Sequence, residues 1–454
     1  MYDIAIIGAG VTGSFIAREL SKYDFKIVLL EKSYDVSNGS TKANSAIIHG
    51  GYDPKPSTLM AKFNVEGNRT IEETCKELSV PFKRIGAIIL AFEDEDINTI
   101  HKLYERGIQN GVPNLKILTA EETIAIEPNV NRNIKGSLYS GTTGIISPFE
   151  LAIALSENAV ANGVEIKLNT EVLNLEKNGD NFDIFTNKGE LSAKFVVNAA
   201  GVYADRINNL VSKNKFEIKP KKGQYMVLNK STGNLAKHVI FQCPSEKGKG
   251  ILVTPTVYGN TLVGPDSEQI FDKDDVSTDK NTIEFIQKVA SKSIENIPFN
   301  KTIRTFAGLR AESDRKDFIV EEAPDCPGLF NAAGIKSPGL TSSPAIASYI
   351  VNLILKKTPT ATKKSNFINY RENPLLRYKS ESEMIKALAS SETYKKVICR
   401  CEQITEGEIL DAISRTPKPT TRDGVKRRAR AGMGPCQSNH CGPLVDTMLN
   451  QNQY

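Results

Sequence analysis

A glycine-rich turn near the start of the chain restricts the fold more than any other feature of the sequence. A short apolar run, Asp3–Ile7, leads into a G-x-G-x-x-G pattern formed by Gly8, Gly10 and Gly13. After the turn, apolar residues recur at helical spacing as far as Lys22. This order of strand, turn and helix predicts a dinucleotide site. The glycines let the backbone approach a pyrophosphate, and the helix N-terminus supplies N–H groups to it.

A second apolar strand, Lys26–Leu30, ends at Glu31 and completes a βαβ unit. The carboxylate of Glu31 is expected to accept hydrogen bonds from the ribose hydroxyls of an adenosine. Because the same carboxylate would repel a 2′-phosphate, the site favours FAD or NAD over NADP. The motif alone does not choose between FAD and NAD.

The order of the other predicted elements indicates an α/β fold in which the nucleotide-binding domain is interrupted. A predicted helix over 148–162 and strands over 164–168 and 194–198 return the chain to the first sheet. Strand-like runs outnumber helices in 84–145 and 219–314, which predicts an inserted, mixed α+β substrate domain with an antiparallel sheet. The Rossmann-like domain is then assigned to 1–83, 146–218 and 315–355.

Four of the seven cysteines lie close together near the C-terminal end. Cys399 and Cys401 form a C-x-C pair, and Cys436 and Cys441 form a C-x4-C pair. Four thiolates suit either a structural zinc or an iron–sulfur cluster, and the pattern leaves both open. The tight C-x-C spacing favours iron, because zinc sites usually use cysteines separated by two to four residues.

A basic run, 426–430, lies just ahead of the second cysteine pair. Two interpretations stay open: a solvated helix face, and a group of cations that stabilises the negative charge of a four-thiolate cluster. Thr405 and Glu408 form a capping-box pattern, which predicts a helix directly after the first pair. We therefore expect 396–454 to form a small helical domain around its metal. A linker over 356–395, polar and basic in 356–365 and with helical patches after that, joins it to the rest of the chain.

Charge and hydropathy exclude several classes of protein. The 58 Lys and Arg against 53 Asp and Glu leave a net charge of only +5, so nucleic acid is not expected as the main partner. The longest apolar segment, 346–355, is about half the length that a membrane span needs. Because the first residues also lack the basic start of a secretory signal, we expect a cytoplasmic protein with no transmembrane segment.

Longer segments carry a family resemblance over nearly the whole chain. They are IIGAGVTG, STKANSAIIHGGYDP, VNAAGVYAD, KGQYMVLNK, FAGLR and GIKSPGLTSSPA in residues 1–355, and ICRCEQITEGEI and DGVKRRARAGMGPCQSNHCGP after them. The first part resembles the flavin-dependent glycerol-3-phosphate oxidase/dehydrogenase group of the D-amino-acid-oxidase-like flavoproteins. The second part resembles the bacterioferritin-associated-ferredoxin-type [2Fe–2S] domain. The combination resembles the anaerobic glycerol-3-phosphate dehydrogenases.

The resemblance implies a Rossmann-like domain that binds FAD noncovalently and a C-terminal domain whose four cysteines, Cys399, Cys401, Cys436 and Cys441, hold a [2Fe–2S] cluster. It also implies that 334–343 wraps the flavin ring. The sequence itself predicts a helix after that segment, from Pro344 to Leu355. The residues expected to contact FAD are Gly8, Gly10, Gly13, Glu31, Ser40, Thr41, Asn44, Ser45, Gly201, Gly334, Ser337, Gly339, Leu340 and Thr341.

Three further positions match residues with chemical roles in the family. His49 is expected next to the flavin, as the base that takes the hydroxyl proton while a hydride leaves. Arg310 and Lys249 match positions that hold the phosphate or carboxylate end of the substrate, and an arginine offers a bidentate fork there. Without the resemblance, His49 could be a core histidine and the two cations ordinary surface charges.

The resemblance implies oxidation of sn-glycerol 3-phosphate to dihydroxyacetone phosphate with FAD as the hydride acceptor. An oxidase returns electrons to oxygen and needs no cluster, so the cysteine domain favours a dehydrogenase. Such an enzyme relays electrons to a partner subunit or carrier, and any membrane attachment would come through that partner. Three alternatives stay open: oxidation of a 2-hydroxy acid such as 2-hydroxyglutarate, oxidation of an amino acid, and an electron-transfer subunit whose flavin and cluster only relay electrons.

Overall fold

A computed structural model describes residues 1–244 and 250–452. In chain order, the strands in this part of the chain are β1 Tyr2–Ile7, β2 Ile27–Leu30, β3 Ile47–Ile48, β4 Phe82–Arg84, β5 Ala87–Ala91, β6 Leu115–Thr119, β7 Gly136–Ser140, β8 Gly144–Ile146, β9 Glu165–Lys167, β10 Val172–Asn178, β11 Asn181–Thr186, β12 Gly189–Asn198, β13 Ile218–Leu228, β14 Val239–Gln242, β15 Leu252–Pro255, β16 Thr261–Gly264, β17 Glu268–Gln269, β18 Thr302–Ser313, β19 Ile319–Glu322, β20 Leu329–Ala333, β21 Val397–Cys399 and β22 Ile404–Thr405.

The α-helices alternate with these strands in the first two thirds of the chain and dominate its last part. They are α1 Val11–Leu20, α2 Leu59–Glu77, α3 Asp94–Gln109, α4 Ala120–Ile126, α5 Pro148–Ala161, α6 Ala204–Val211, α7 Lys280–Ala290, α8 Gly339–Lys357, α9 Glu381–Ser390, α10 Glu406–Ser414, α11 Arg422–Ala429 and α12 Gly442–Gln451. None of the described helices is long and apolar enough to cross a membrane.

Strand β1 lies inside the first sheet, which has eight strands. It pairs in parallel with β2 and β12, and β9 and β20 extend the parallel part on either side. Helices α1, α2, α5 and α8 pack on one face of this sheet, and α6 packs on the other. Because parallel strands end at the same edge, the glycine turn after β1 meets the residues that follow β12 and β20. The predicted Rossmann-like α/β fold is confirmed.

The second sheet has nine strands, contributed by both of the regions that we expected to form the substrate domain. All of its strand pairs are antiparallel except β14 with β5, which joins the two regions. Its longest strands, β13 and β18, pair from Ile218 with Ser313 to Leu228 with Thr302. This long ribbon reaches the first domain, where the side chain of Ser40 donates to the carbonyl of Leu309 at 2.6 Å. The predicted mixed α+β domain with an antiparallel sheet is confirmed.

Helix α8 begins at Gly339, so the predicted start at Pro344 is wrong. Pro344 removes one main-chain donor near the start of the helix and does not end it. Within the first turn, Ser342 Oγ donates to Pro338 O at 3.1 Å and Ser343 Oγ donates to Gly339 O at 2.7 Å. The loop expected over 334–343 is therefore shorter, and its second half is the first turn of a helix.

Part of the predicted linker, 356–395, is anchored to the first domain. We call residues 362–373 the strap. Within the strap, Arg371 forms an ion pair with Glu157 on α5. The side chain of Glu157 is almost completely buried. The other contacts are Asp24 N–H to Thr362 O (2.9 Å), Asn158 Nδ2 to Ile368 O (3.0 Å) and Asn373 Nδ2 to Ser79 O (2.7 Å).

The last part of the chain is a small domain with its own apolar core. A two-stranded ribbon, β21 and β22, precedes helices α10, α11 and α12. Thr405 caps α10 in a reciprocal capping box with Glu408, as the sequence predicted. Its core includes Ile404, Ile409 and Val425, each of which is completely buried.

Candidate functional site

The glycine turn after β1 leaves no room for side chains. A Cβ on Gly8 would lie 2.4 Å from the carbonyl oxygen of Ala199, and Gly8 has a φ of +104°. A Cβ on Gly13 would lie 1.9 Å from the carbonyl oxygen of Gly8. Gly10 precedes the first residue of α1. The backbone is therefore packed as closely as a pyrophosphate site on a helix N-terminus requires, and the residues fit a dinucleotide.

Glu31 lies at the end of β2, beside this turn. Its Oε2 accepts from the N–H of Ala9 at 2.8 Å, and its Oε1 accepts from the N–H of Ser33 at 2.8 Å. The side chain is held in one orientation, and each carboxylate oxygen keeps acceptor capacity for a further donor. This geometry supports the predicted role in binding ribose hydroxyls.

Residues 40–45 form a loop between the glycine turn and the second domain. Thr41 Oγ1 accepts from the N–H of Val11 at 2.9 Å, so it caps the first turn of α1. Asn44 Oδ1 accepts from the N–H of Ala46 at 2.8 Å, where the backbone has a positive φ. Ser45 Oγ lies 3.3 Å from the hydroxyl of Tyr225. The loop that we expected near the flavin is thus shaped by its own polar side chains.

His49 follows β3 and is held through its main chain at three points. Its N–H donates to Thr341 Oγ1 at 2.8 Å, and its carbonyl accepts from the side chains of Asn64 and Asn68 at 2.8 and 2.9 Å. Its ring Nε2 lies 3.1 Å from Ser337 Oγ. Two residues expected to contact the flavin therefore also position His49.

Asn64 and Asn68 were not among the residues predicted from the sequence. Both are buried on α2, on the same face as Ala61, Ile71 and Cys75. Two asparagines on the apolar face of a helix are a signal that sequence inspection could have used, because buried amides need partners. Their partner, the carbonyl of His49, depends on tertiary packing.

Arg310 lies on β18 and reaches across the neighbouring strand β13. Its Nη2 donates to the carbonyl of Asp266 at 3.0 Å. Its Nη1 is buried and has no hydrogen-bond partner among the described residues. Gly223 makes room for the side chain, because a Cβ there would lie 2.6 Å from Nη2. A buried guanidinium N–H without a protein acceptor suits an anionic ligand.

Asp266, next to Arg310, is partly buried. Asp266, whose carbonyl accepts from the guanidinium, also accepts at its carboxylate from the N–H of Gln224 at 2.6 Å. Burial nevertheless raises the pKa of Asp266 above its ordinary value, against the opposing effects of that hydrogen bond and of Arg310. In such an environment, a charge-assisted hydrogen bond to an anion is stronger than in water.

The other residues predicted to contact FAD lie after strands of the first sheet or in the first turn of α8. Gly201 follows the end of β12, and Gly334 follows the end of β20, both with positive φ. Gly339, Leu340 and Thr341 form the first turn of α8. Lys249 lies outside the described residues.

The four cysteines of the last domain come together in two pairs. Cys401 Sγ lies 3.7 Å from Cys436 Sγ, close to the separation of about 3.8 Å that two thiolates on one tetrahedral metal have with bonds of about 2.3 Å. Cys399 and Cys441 form the second, buried pair. Burial, and then the charge of Cys399, raises the pKa of Cys441 to about 12. Gly432 N–H donates to Cys399 Sγ at 3.5 Å, a contact typical of a cluster's protein surroundings.

Two pairs of thiolates suit a binuclear cluster. Two glycines keep the space around the sulfurs narrow: a Cβ on Gly434 would lie 2.3 Å from Cys401 Cβ, and one on Gly432 would lie 1.9 Å from Ser438 Oγ. A [2Fe–2S] cluster needs two thiolates on each iron, which is the arrangement found here.

The basic run 426–430 is buried, so the interpretation as a solvated helix face is wrong. Arg427, Arg428 and Arg430 are 3%, 2% and 3% exposed. Each of the three pairs with a carboxylate: the first two with Asp35, and the third with Glu402.

Comparison with known proteins follows this division of the chain. The FAD dependent oxidoreductase family matches residues 3–353, and the BFD-like [2Fe-2S] binding domain matches residues 397–451. The glycerol 3-phosphate dehydrogenase of Caloramator mitchellensis is 53% identical over 450 residues, which cover 99% of this chain and 94% of that protein. The glycerol 3-phosphate oxidase of Mycoplasma genitalium is 36% identical over 367 residues, which cover 78% of this chain and 96% of that protein.

A solved structure supports the same family assignment. The reduced L-α-glycerophosphate oxidase of Mycoplasma pneumoniae, with FAD bound, has a TM-score of 0.78 and 33% identity, covering 81% of this chain and 98% of that one. The glycine turn, the two paired cysteine sets and these matches agree on both cofactors, FAD and a [2Fe–2S] cluster. The chain therefore belongs to the FAD-dependent oxidoreductase family and carries a BFD-like [2Fe–2S] domain after the flavin-binding part.

Proposed function

We propose that this enzyme oxidises sn-glycerol 3-phosphate to dihydroxyacetone phosphate and passes the electrons through its [2Fe–2S] cluster to a partner protein. The observation that carries the substrate class is the buried Nη1 of Arg310, which has no acceptor among the described residues. A phosphate oxygen would satisfy it with a charge-assisted hydrogen bond. The similarity to the Caloramator dehydrogenase over almost the full length of both chains supports the choice of substrate.

His49 is the base in this proposal. The secondary alcohol loses a hydride from carbon and a proton from oxygen, and the imidazole takes the proton. When bound, FAD supplies the acceptor for the hydride. The three main-chain hydrogen bonds to His49 fix the point from which the ring projects, and Ser337 limits its rotation.

The cluster gives the enzyme an exit for single electrons. A [2Fe–2S] centre carries one electron at a time, so two transfers complete each turnover. Cys401 is exposed, which would place one edge of the cluster at the protein surface. A protein acceptor could then approach it without entering the substrate site.

Anaerobic titration of the iron-reconstituted enzyme with sn-glycerol 3-phosphate tests the proposal. We expect the flavin and cluster absorption bands to bleach together. Bleaching of the flavin alone would contradict the relay and leave the substrate standing. Bleaching only with L-2-hydroxyglutarate or with an amino acid would overturn the choice of substrate.

Replacing Arg310 with methionine is expected to lower kcat/KM for glycerol 3-phosphate by about 100-fold, because a buried charge-assisted contact to the anion is lost. Steady-state kinetics with an artificial electron acceptor measures the effect. Arg304→Met is the matched control, since Arg304 is an exposed arginine on the same strand. Equal losses in both variants would remove Arg310 from substrate binding.

A smaller change should disturb the same contact. Gly223→Ala places a methyl group against the Arg310 guanidinium, which must then shift. We expect KM to rise about tenfold with little change in FAD content, because the cation is displaced while the flavin site is not. An unchanged KM would mean that the position of Arg310 does not limit substrate binding.

A further inference from the structure

Two arginines of α11 share one carboxylate of the flavin-binding domain. Arg428 forms a fork on Asp35, with Nη1 to Oδ2 at 2.7 Å and Nη2 to Oδ1 at 2.8 Å. Arg427 Nη2 lies 3.2 Å from Asp35 Oδ2. Asp35 is 0% exposed. The three side chains, which we call the clamp, therefore form a buried ion cluster between the two domains.

The clamp is connected to the glycine turn by a short path. Arg427 Nη1 donates to the carbonyl of Val36 at 2.8 Å. The next residue, Ser37, donates its N–H to the carbonyl of Ala9 at 2.8 Å, inside the G-x-G-x-x-G turn. The cluster domain thus contacts the segment that shapes the FAD site.

A second set of contacts begins beside a cluster cysteine. Glu402, the neighbour of Cys401, pairs with Arg430 Nε at 3.0 Å and with Lys230 Nζ of the second domain at 2.8 Å. The guanidinium of Arg430 lies 3.4 Å above the ring of Tyr258, whose hydroxyl contacts Glu150 at the start of α5. The cluster domain is therefore held against both other domains.

The chemistry of the clamp indicates that it orients the two domains relative to each other. Burying an ion cluster costs desolvation free energy. Apolar residues of the same shape would often stabilise the interface equally well. A bidentate arginine, however, accepts one orientation of its carboxylate and loses the contact when that orientation changes. The clamp thus specifies how the domains dock.

We propose that Asp35, Arg427 and Arg428 are positioning residues that fix the cluster at one distance from the flavin, so that electrons pass in the docked state without movement of the domain. This inference rests on the proposed electron relay. With both groups bound, the two electrons of the reduced flavin would pass one at a time through the cluster to a one-electron carrier protein, and the flavin would release its proton to solvent.

Stopped-flow mixing of the anaerobic holoenzyme with glycerol 3-phosphate tests the proposal in Arg428→Gln. We expect the flavin to bleach at the wild-type rate. The cluster should bleach about tenfold more slowly, or to a smaller final extent. Removing one partner leaves Asp35 with an incompletely paired charge and favours the undocked chain. Arg132→Gln, which removes an exposed arginine from the second domain, is the control.

Small-angle X-ray scattering supplies a second readout that does not depend on turnover. A docked chain of this length should have a radius of gyration of about 22 Å. Arg428→Gln should give a larger value than the wild type and the control. Wild-type scattering together with a wild-type rate of cluster bleaching would overturn the proposal.

Two further measurements keep the test decisive. If Arg428→Gln does not fold, Arg427→Gln removes the contacts of that guanidinium with Asp35 and Val36 and leaves the Arg428 fork intact, and it should show the same split between flavin and cluster bleaching to a smaller extent. If glycerol 3-phosphate does not bleach the wild-type flavin, the proposed substrate fails. Photoreduction of the flavin in the presence of EDTA then supplies the electrons, and the variants are compared in the same way.

Discussion

Replacing His49 with alanine is expected to lower kcat for glycerol 3-phosphate by about 10²- to 10⁴-fold, the range for loss of a general base. FAD content should stay at the wild-type level. The contacts that hold this segment involve the N–H and carbonyl of His49, and alanine keeps both. The measurement is the anaerobic rate of flavin bleaching under saturating substrate, with bound FAD quantified by absorbance.

His101→Ala is the matched control, because His101 is exposed on α3. It should leave the bleaching rate unchanged. If His49→Ala also bleached at the wild-type rate, His49 would have no role in proton transfer. A subunit that only relays electrons, the alternative left open by the sequence, would then regain support.

Cys401→Ser is expected to abolish the cluster while the flavin still bleaches with substrate. Cys401 shares a pair with Cys436, and serine is a poor ligand for iron in that position. Cys401 is exposed, so its replacement disturbs little apolar packing. Iron and sulfide analysis, together with the visible spectrum, measures the loss, and electron delivery to a one-electron protein acceptor should fall to background.

Cys326→Ser provides the comparison, since Cys326 lies in the core of the first domain, away from the cluster site. It should retain full iron content. Stoichiometric zinc in the wild-type protein, with no sulfide after reconstitution, would contradict the cluster and favour the structural zinc that the cysteine spacing first left open.

Most of the features that could be predicted from the sequence come from local motifs. The glycine turn was recognisable because each glycine answers a steric demand within a few residues of chain, as at Gly8 and Gly13. The cysteine pairs were recognisable because ligand spacing is itself local. The choice of His49 and Arg310 depended on family resemblance, and the structure adds the physical reasons. Two asparagine amides hold the carbonyl of His49, and the buried Nη1 of Arg310 has no hydrogen-bond partner among the described residues.

Long-range pairing was beyond such reasoning. Arg428 and its partner Asp35 are 393 positions apart, and a run of basic residues has the same appearance whether it faces water or a buried carboxylate. Helix α8 begins five residues before the predicted start, at Gly339, because proline is tolerated in the first turn of a helix, where its missing N–H costs little.

The single carboxylate at Asp35 also bears on biosynthesis. A ribosome makes Asp35 early and makes its arginine partners 392 and 393 residues later. Until α11 has been made, Asp35 therefore lacks both of its arginine partners. The buried ion cluster between the two domains can form only after almost the whole chain has been synthesised, so docking of the cluster domain follows synthesis of the flavin-binding part.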